Sequence, residues 1–262
     1  MYIRQPAVAG SFYPEGEEQL SVLVTQMLSE AVANDAVQVC PKVLICPHAG
    51  YVYSGAIAAS GYSQLKAYHQ QISRVVLLGP SHRVPLQGIA IPDTSLFRTP
   101  LGEIEVDQEA LTKIKTLEGV KVSPHAHAYE HSLEVQLPFL QCVLDDFKII
   151  PLVVGQAGPT LVSKVIDVLW GGEETLFVVS TDLSHYHNYE HAKAVDGETC
   201  KKIEHFDTDI TCDHACGCYP LNGMMQAAQH HRMHISQLDL RNSGDTAGSK
   251  DQVVGYAAYA LF

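Results

Sequence analysis

Val75-Val-Leu-Leu-Gly-Pro-Ser-His82 is the stretch on which the fold turns. Four apolar residues, two of them β-branched, stop at Gly-Pro-Ser and end on a histidine. A short continuous apolar run closed by turn residues reads as a strand buried on both faces, because a strand with one wet face alternates polar and apolar positions. The same pattern recurs along the chain. Val43-Leu-Ile-Cys46 runs into Pro47-His48-Ala49-Gly50, Leu176-Phe-Val-Val-Ser180 runs into Thr181-Asp182-Leu183-Ser184-His185, and residues 235–240 run into Arg241-Asn242-Ser243-Gly244-Asp245. Residues 149–154 form a further continuous apolar strand.

Helical patterns lie between these strands. Leu20, Leu23, Val24, Leu28 and Val32 recur at helical spacing over residues 17–32. Further helices are expected at 54–68, 107–117, 131–146, 159–169, 189–205 and 220–231. Residues 87–106, punctuated by Pro92-Asp93, Thr99-Pro100 and Leu101-Gly102, read as a β-hairpin insertion. Buried strands alternating with helices specify an α/β fold, an α/β/α sandwich around a central sheet. The closing strands at 235–240 and 253–261 are separated by only a short loop, so the sheet is expected to be mixed. No repeat or linker divides the chain, and residues 1–262 are read as a single domain.

The chain has 29 acidic residues against 17 Lys plus Arg, a formal charge of −12, with 46% hydrophobic residues and 14 histidines. This acidity, without a basic cluster, argues against nucleic acid or an anionic membrane as partner. No apolar run approaches transmembrane length, and the N-terminus lacks a signal-peptide core, so a cytoplasmic location is expected. The seven cysteines, odd in number and scattered, are expected to be reduced thiols. Cys212-Asp-His214-Ala-Cys216-Gly-Cys218 lacks the two separated clips of a zinc site and reads as a turn into a helix.

In open α/β sheets, ligands bind beyond the carboxyl ends of strands. His48, His82 and Asp245 each follow a strand, and two imidazoles with one carboxylate make a non-haem Fe(II) ligand set that leaves positions open for substrate and dioxygen. Zinc accepts the same donors. His185 suits general acid–base work, with Asp182 orienting it or supporting a ligand. His131 is expected to line the pocket, while Glu130 and Glu134, four apart at a predicted helix start, read as helix-dipole partners as much as site residues.

The ordered motifs Arg4-Gln-Pro-Ala-Val-Ala-Gly10-Ser-Phe-Tyr-Pro14, Pro47-His-Ala-Gly-Tyr51, Gly79-Pro-Ser-His82, Glu130-His-Ser-Leu-Glu134, Ser180-Thr-Asp-Leu-Ser-His185, Cys216-Gly217 with Pro220, and Tyr256-Ala-Ala-Tyr-Ala-Leu261 together resemble the Memo family. Its bacterial and archaeal members are called protein B of the AmmeMemoRadiSam system. The resemblance implies a fold like that of LigB-type extradiol dioxygenases. It implies metal ligation by His48 and His82, an acid–base role for His185, and substrate contacts from His131, Tyr51 and Glu134. It sets Asp245 where the animal relative carries a cysteine ligand and the dioxygenases a glutamate. An oxygen donor there favours Fe(II), with Cu or Zn as alternatives. Two functions follow as expectations: a metal-dependent redox enzyme acting on a small molecule, or a protein-binding module using the same cleft, with a radical-SAM enzyme and other proteins of that system as possible partners.

Overall fold

The computed structural model describes residues 2–31 and 39–262. In chain order the elements are β1 (Ile3–Arg4), α1 (Glu17–Glu30), β2 (Val43–Cys46), α2 (Tyr51–Tyr62), β3 (Arg74–Pro80), β4 (Ile89–Ile91), β5 (Leu96–Thr99), β6 (Gly102–Val106), α3 (Gln108–Ile114), β7 (Val120–Val122) and α4 (Pro124–Ala128). They continue with α5 (Leu137–Val143), β8 (Lys148–Val154), α6 (Pro159–Leu169), β9 (Thr175–Ser180), β10 (His185–His187), α7 (Tyr189–Glu204), α8 (Cys218–His230), β11 (Ile235–Asn242) and β12 (Val253–Leu261). Val32, the last apolar position expected on the first helix, lies outside the described residues.

The strands form one mixed sheet of twelve among the described residues. Its centre is parallel: β6, β8, β3, β9 and β2 lie side by side with a common direction. β12 then pairs antiparallel with β2 and with β11 on its other edge. Every residue of β2 and β9 is buried, as is β3 beyond Arg74, and this accounts for their unbroken apolar runs. α2 lies against β2, β11 and β12 with α1 and α5 beside it, while α8, paired with α6, lies on β3 and β9. α2 shows no amphipathic pattern because it is buried nearly all round, and its small residues permit close approach. A Cβ on Gly61 would meet Cys46 Sγ at 2.7 Å. No helix among the described residues is long and apolar enough to cross a membrane.

The helix expected at 131–146 is the largest departure. The chain instead makes α4, an irregular stretch, a 3-10 turn at Glu134–Gln136, and only then α5. Two buried carboxylates explain the break, since each serves partners distant in sequence rather than a helix terminus. Glu134, with no exposed surface, accepts backbone N–H groups of Ala7 (2.8 Å) and Val8 (3.0 Å) and the Tyr13 hydroxyl (2.5 Å), and forms an ion pair with Arg4. Arg4 also donates to the carbonyls of His127 (3.1 Å) and Glu130 (2.6 Å). The N-terminal segment is thereby stitched to the segment between α4 and α5. Removing one partner of a buried, hydrogen-bonded ion pair leaves the other uncompensated, so Glu134→Ala is expected to lower stability by about 3–5 kcal/mol in urea unfolding.

His127 is buried on α4, where its Nε2–H donates to the Ala90 carbonyl at 3.0 Å. Burial lowers its pKa from 6.5 to about 4. The unfolded chain therefore takes up a proton between these values that the folded chain refuses. This contribution to stability is full above pH 6.5 and is lost as pH falls toward 4. Unfolding free energy measured across this range is expected to fall less steeply in His127→Gln than in the wild type.

Candidate metal centre

The ends of β2, β3 and β9 converge on a cavity of about 980 Å³ whose walls include seven histidines: His48, His82, His131, His185, His187, His191 and His214. His48 is buried just beyond β2, and His82 follows β3 with its side chain 28% exposed. Their rings lie 5.2 Å apart, edge to face. Cys216, in the loop before α8, completes the group. Its Sγ is 3.3 Å from His48 Nε2, and one donor atom from each of His48, His82 and Cys216 falls within 4.8 Å of the others.

Hydrogen bonding determines which nitrogen of each imidazole faces this point. Ser180 Oγ has a single hydrogen, which it donates to the Ser132 carbonyl at 2.6 Å, while it accepts from Gln136 Nε2 at 2.8 Å. His48 Nδ1, 2.8 Å from the same oxygen, must therefore be the donor, and its Nε2 carries the lone pair turned toward Cys216. At His82, Nδ1 donates to Glu130 Oε1 at 2.9 Å, which leaves Nε2 as the nitrogen not engaged by the carboxylate. Burial alone would raise the Glu130 pKa, but N–H groups of His82 and Ser132 outweigh it and hold the carboxylate at about 2. Burial, reinforced by the neighbouring imidazoles of His82 and His131, keeps His48 neutral well below the usual histidine range. Two imidazoles, each held through Nδ1, beside a sulfur donor fit a metal ion such as Fe(II), copper or zinc.

Asp182 braces the same three elements. Its Oδ1 accepts the His48 N–H (2.8 Å), its own N–H donates to Cys216 Sγ (3.3 Å), and its carbonyl accepts the Cys216 N–H (3.2 Å). Burial raises its carboxyl pKa, a shift opposed by the bond from His48. Gly217 allows the loop to approach this closely, since a Cβ there would meet Thr181 Cβ at 2.6 Å and the Ser180 carbonyl at 2.7 Å. His185 opens β10 and belongs with Asp182 and Cys216 to an overlapping group of possible ligands. Tyr186, next to it, takes a left-handed φ of 60°, a strained conformation of the kind that gathers at functional sites. His131 stacks on His82 with ring centroids 4.7 Å apart and contacts Phe12 at 4.8 Å. Its buried Nδ1 makes no hydrogen bond among the described residues, with Glu130 Oε1 3.5 Å away.

Three expected site residues lie elsewhere. Asp245 is exposed, and both of its oxygens are engaged: Oδ1 by the Tyr189 hydroxyl at 2.5 Å, Oδ2 by the Asn242 N–H at 3.0 Å in a capping box. β12 pairs with β2 only through Tyr259–Leu261 but with β11 as far as Gly255, so β11 runs on past the end of β2 before the chain reaches Asp245, which is held there by Tyr189 of α7. Cys216, rather than Asp245, falls within ligand reach of His48 and His82, and with a sulfur donor in the group the softness argument for iron over copper no longer applies. Tyr51 is buried, donates its hydroxyl to the Val135 carbonyl at 2.7 Å, and packs on Tyr13 and Phe139 rather than on the cavity. Glu134 is the structural anchor described above. The loop of Cys216 follows no strand, and a rule based on strand ends passes over it; its signal was the Cys-Gly pair ahead of Pro220. The expectation of reduced thiols also fails at one pair, since Cys212 and Cys218 form a disulfide around Cys216. An odd count requires only that one thiol be left over.

Comparison with known proteins agrees with this architecture. A family model described as Memo-like protein matches residues 4–260. A MEMO1 family protein of Aquifex aeolicus is 35% identical over 98% of both chains, and one of Methanosarcina acetivorans is 37% identical over the same share. An uncharacterised Escherichia coli K12 protein of known crystal structure shares the fold, with a TM-score of 0.51 at 12% identity, covering 82% of this chain and 98% of its own. The orienting role of Ser180 is open to direct measurement. Ser180→Ala removes the acceptor of His48 Nδ1–H, and competition with a chelator is expected to show metal affinity weakened about 10–100-fold while the fold is retained.

Proposed function

The chain belongs to the Memo-like protein family, and from that premise we propose that it is a metal-dependent redox enzyme acting on a small molecule, with iron or copper held by His48, His82 and Cys216. The observation that carries this reading is the pairing of two Nδ1-anchored imidazoles with a sulfur donor at 3.3 Å on the wall of a cavity large enough for a substrate. When bound, the metal supplies Lewis acidity and one-electron redox chemistry at positions left open toward the cavity.

The residues around it divide the remaining tasks. His48, kept neutral by burial, presents its Nε2 without deprotonation. Burial raises the Cys216 thiol pKa, with Asp182 adding to the effect, so a metal held by Cys216 would have to take the place of the thiol proton. Asp182 holds His48 and Cys216 in register through the bonds already given. His185, on the cavity wall, moves a proton to or from bound substrate, a task for which an imidazole is suited near neutral pH. His131 and Phe12 form an aromatic wall that orients a planar substrate.

Anaerobic purification, reconstitution with Fe(II) or copper and metal analysis test the site. The wild type and Asp245→Ala are expected to retain stoichiometric metal, whereas His48→Ala, His82→Ala and Cys216→Ala lose it. Equal retention by Cys216→Ala, or none by the wild type, overturns the assignment. His185→Ala is expected to keep its metal but lose most oxygen uptake with a panel of catechols, a loss of about 100-fold or more. A metal-loaded wild type that consumes no oxygen with any substrate while binding a partner protein tightly would instead point to a binding module.

A further inference from the structure

The loop that carries Cys216 contains sulfur chemistry for which the metal site has no use. Cys212 and Cys218 are joined by a disulfide with Cα atoms 5.0 Å apart, and Cys216 lies inside the ring that this bond closes. The two ends of the ring are held very differently. Cys218 is buried at the start of α8, and the adjoining backbone is fastened to β9's exit: Gly217 N–H donates to Thr181 Oγ1 at 2.9 Å and Cys216 N–H to the Asp182 carbonyl at 3.2 Å. Thr211, Cys212 and Asp213 are exposed, and the hydrogen bonds made by Thr211 run inward, from the N–H groups of His214 (3.0 Å) and Ala215 (3.2 Å) to its carbonyl. Upstream, Asn222 clamps Ile210 through both its N–H (3.0 Å) and its carbonyl (2.8 Å). Between these two fixed points, the disulfide is the covalent tie that holds the exposed arm against the cavity wall. Cys212 and Cys216 both line that wall and Cys212 is exposed, so small reagents in the cavity reach the Cys212 residue.

We propose that Cys212 and Cys218 are a reversible redox pair, and that their disulfide closes the loop holding Cys216 at the metal site whereas their reduction loosens it. The effect on metal retention rests on the reading of Cys216 as a ligand. The chemistry balances with a two-electron oxidant such as hydrogen peroxide: two S–H bonds and the O–O bond break, one S–S bond forms, and the two protons and two electrons leave in two molecules of water. Reduction by a small thiol begins with its thiolate attacking the sulfur of exposed Cys212, and Cys218 leaves as thiolate and takes up a proton. A second thiol then frees Cys212 and departs in the external disulfide. A closed short ring samples fewer conformations than an open loop, so the oxidised form keeps Cys216 better placed for a metal. The protein thereby holds its metal more firmly under oxidising conditions.

The test separates the redox pair from the metal site. Metal-free protein, treated either with a phosphine reductant or with limiting hydrogen peroxide, is alkylated and mapped by mass spectrometry. The same two forms are titrated with Zn(II), a redox-silent probe, against a chromophoric chelator. Peroxide is expected to give a Cys212–Cys218 cross-link with Cys216 still open to alkylation, and Zn(II) affinity is expected to fall about fivefold or more on reduction. Cys212→Ser, at an exposed position, is expected to bind Zn(II) as the reduced form does under both treatments, with circular dichroism reporting an intact fold. Alkylation of both Cys212 and Cys218 after peroxide, or a cross-link involving Cys216, overturns the redox pair. Equal Zn(II) affinity in mapped disulfide and dithiol forms overturns its effect on the site. If neither form binds Zn(II), the metal-site reading fails and the retention effect with it, an outcome that the mapping distinguishes from failure of the pair.

Discussion

Ser180 has one hydroxyl hydrogen, and where it goes determines the chemistry of the site. Because the Ser132 carbonyl takes it, the remaining lone pairs must accept from Gln136 and His48, and His48 is left with a basic Nε2 facing Cys216. The chain of bonds reaches further. Gln136 also donates to the Pro47 carbonyl at 3.0 Å and accepts from the Tyr62 hydroxyl at 2.8 Å, so β2's exit, β9's last residue, α2 and the segment before α5 share one buried network. Such networks are costly when half satisfied and rigid when complete. Here it is complete, and the groups that fix the tautomer of a candidate ligand, Ser180, Gln136 and the Ser132 carbonyl, are all uncharged.

Glu130 does for His82 what Ser180 does for His48, by different means. A carboxylate accepts several donors at once, and Glu130 receives the ring N–H and backbone N–H of His82 together with the N–H of Ser132. Four residues on, Glu134 has no part in the site and anchors the N-terminal segment through Arg4, which places Phe12 against His131. Two carboxylates at helical spacing thus do unrelated work because the backbone between them is not helical. A helix there would have turned both side chains to one face. Instead the chain uses them as separate buried anchors, one for a ligand and one for the cavity wall.

Much of the fold was legible because buried parallel strands leave a plain mark: residues 43–46, 75–78 and 176–179 are apolar throughout because water reaches neither face. The mixed sheet followed from the short connection between the last two strands. The helix expected at 131–146 is an α-helix only over Leu137–Val143, because long-range hydrogen bonds that Glu130 and Glu134 accept from Arg4, Ala7, Val8 and His82 outweigh the local helical spacing ahead of it, and no single-sequence period records such partners.

The sequence by itself determined the α/β class, the strand exits that carry His48 and His82, and the presence of Asp182 and His185 near them, since each of these depends on residues adjacent in the chain to an apolar run; His131 reaches them only through tertiary packing against His82 and Phe12. Only the tertiary structure decided the third donor. Asp245 and Cys216 both follow local patterns of polar and turn residues, and both are compatible with metal chemistry. Strand register carries one of them past the end of β2 and into bonds with Tyr189 and Asn242, while the packing of α8 and the absence of a side chain at Gly217 bring the other to 3.3 Å from His48. Distances of this kind are set by how distant segments stack, a property that no local spacing encodes.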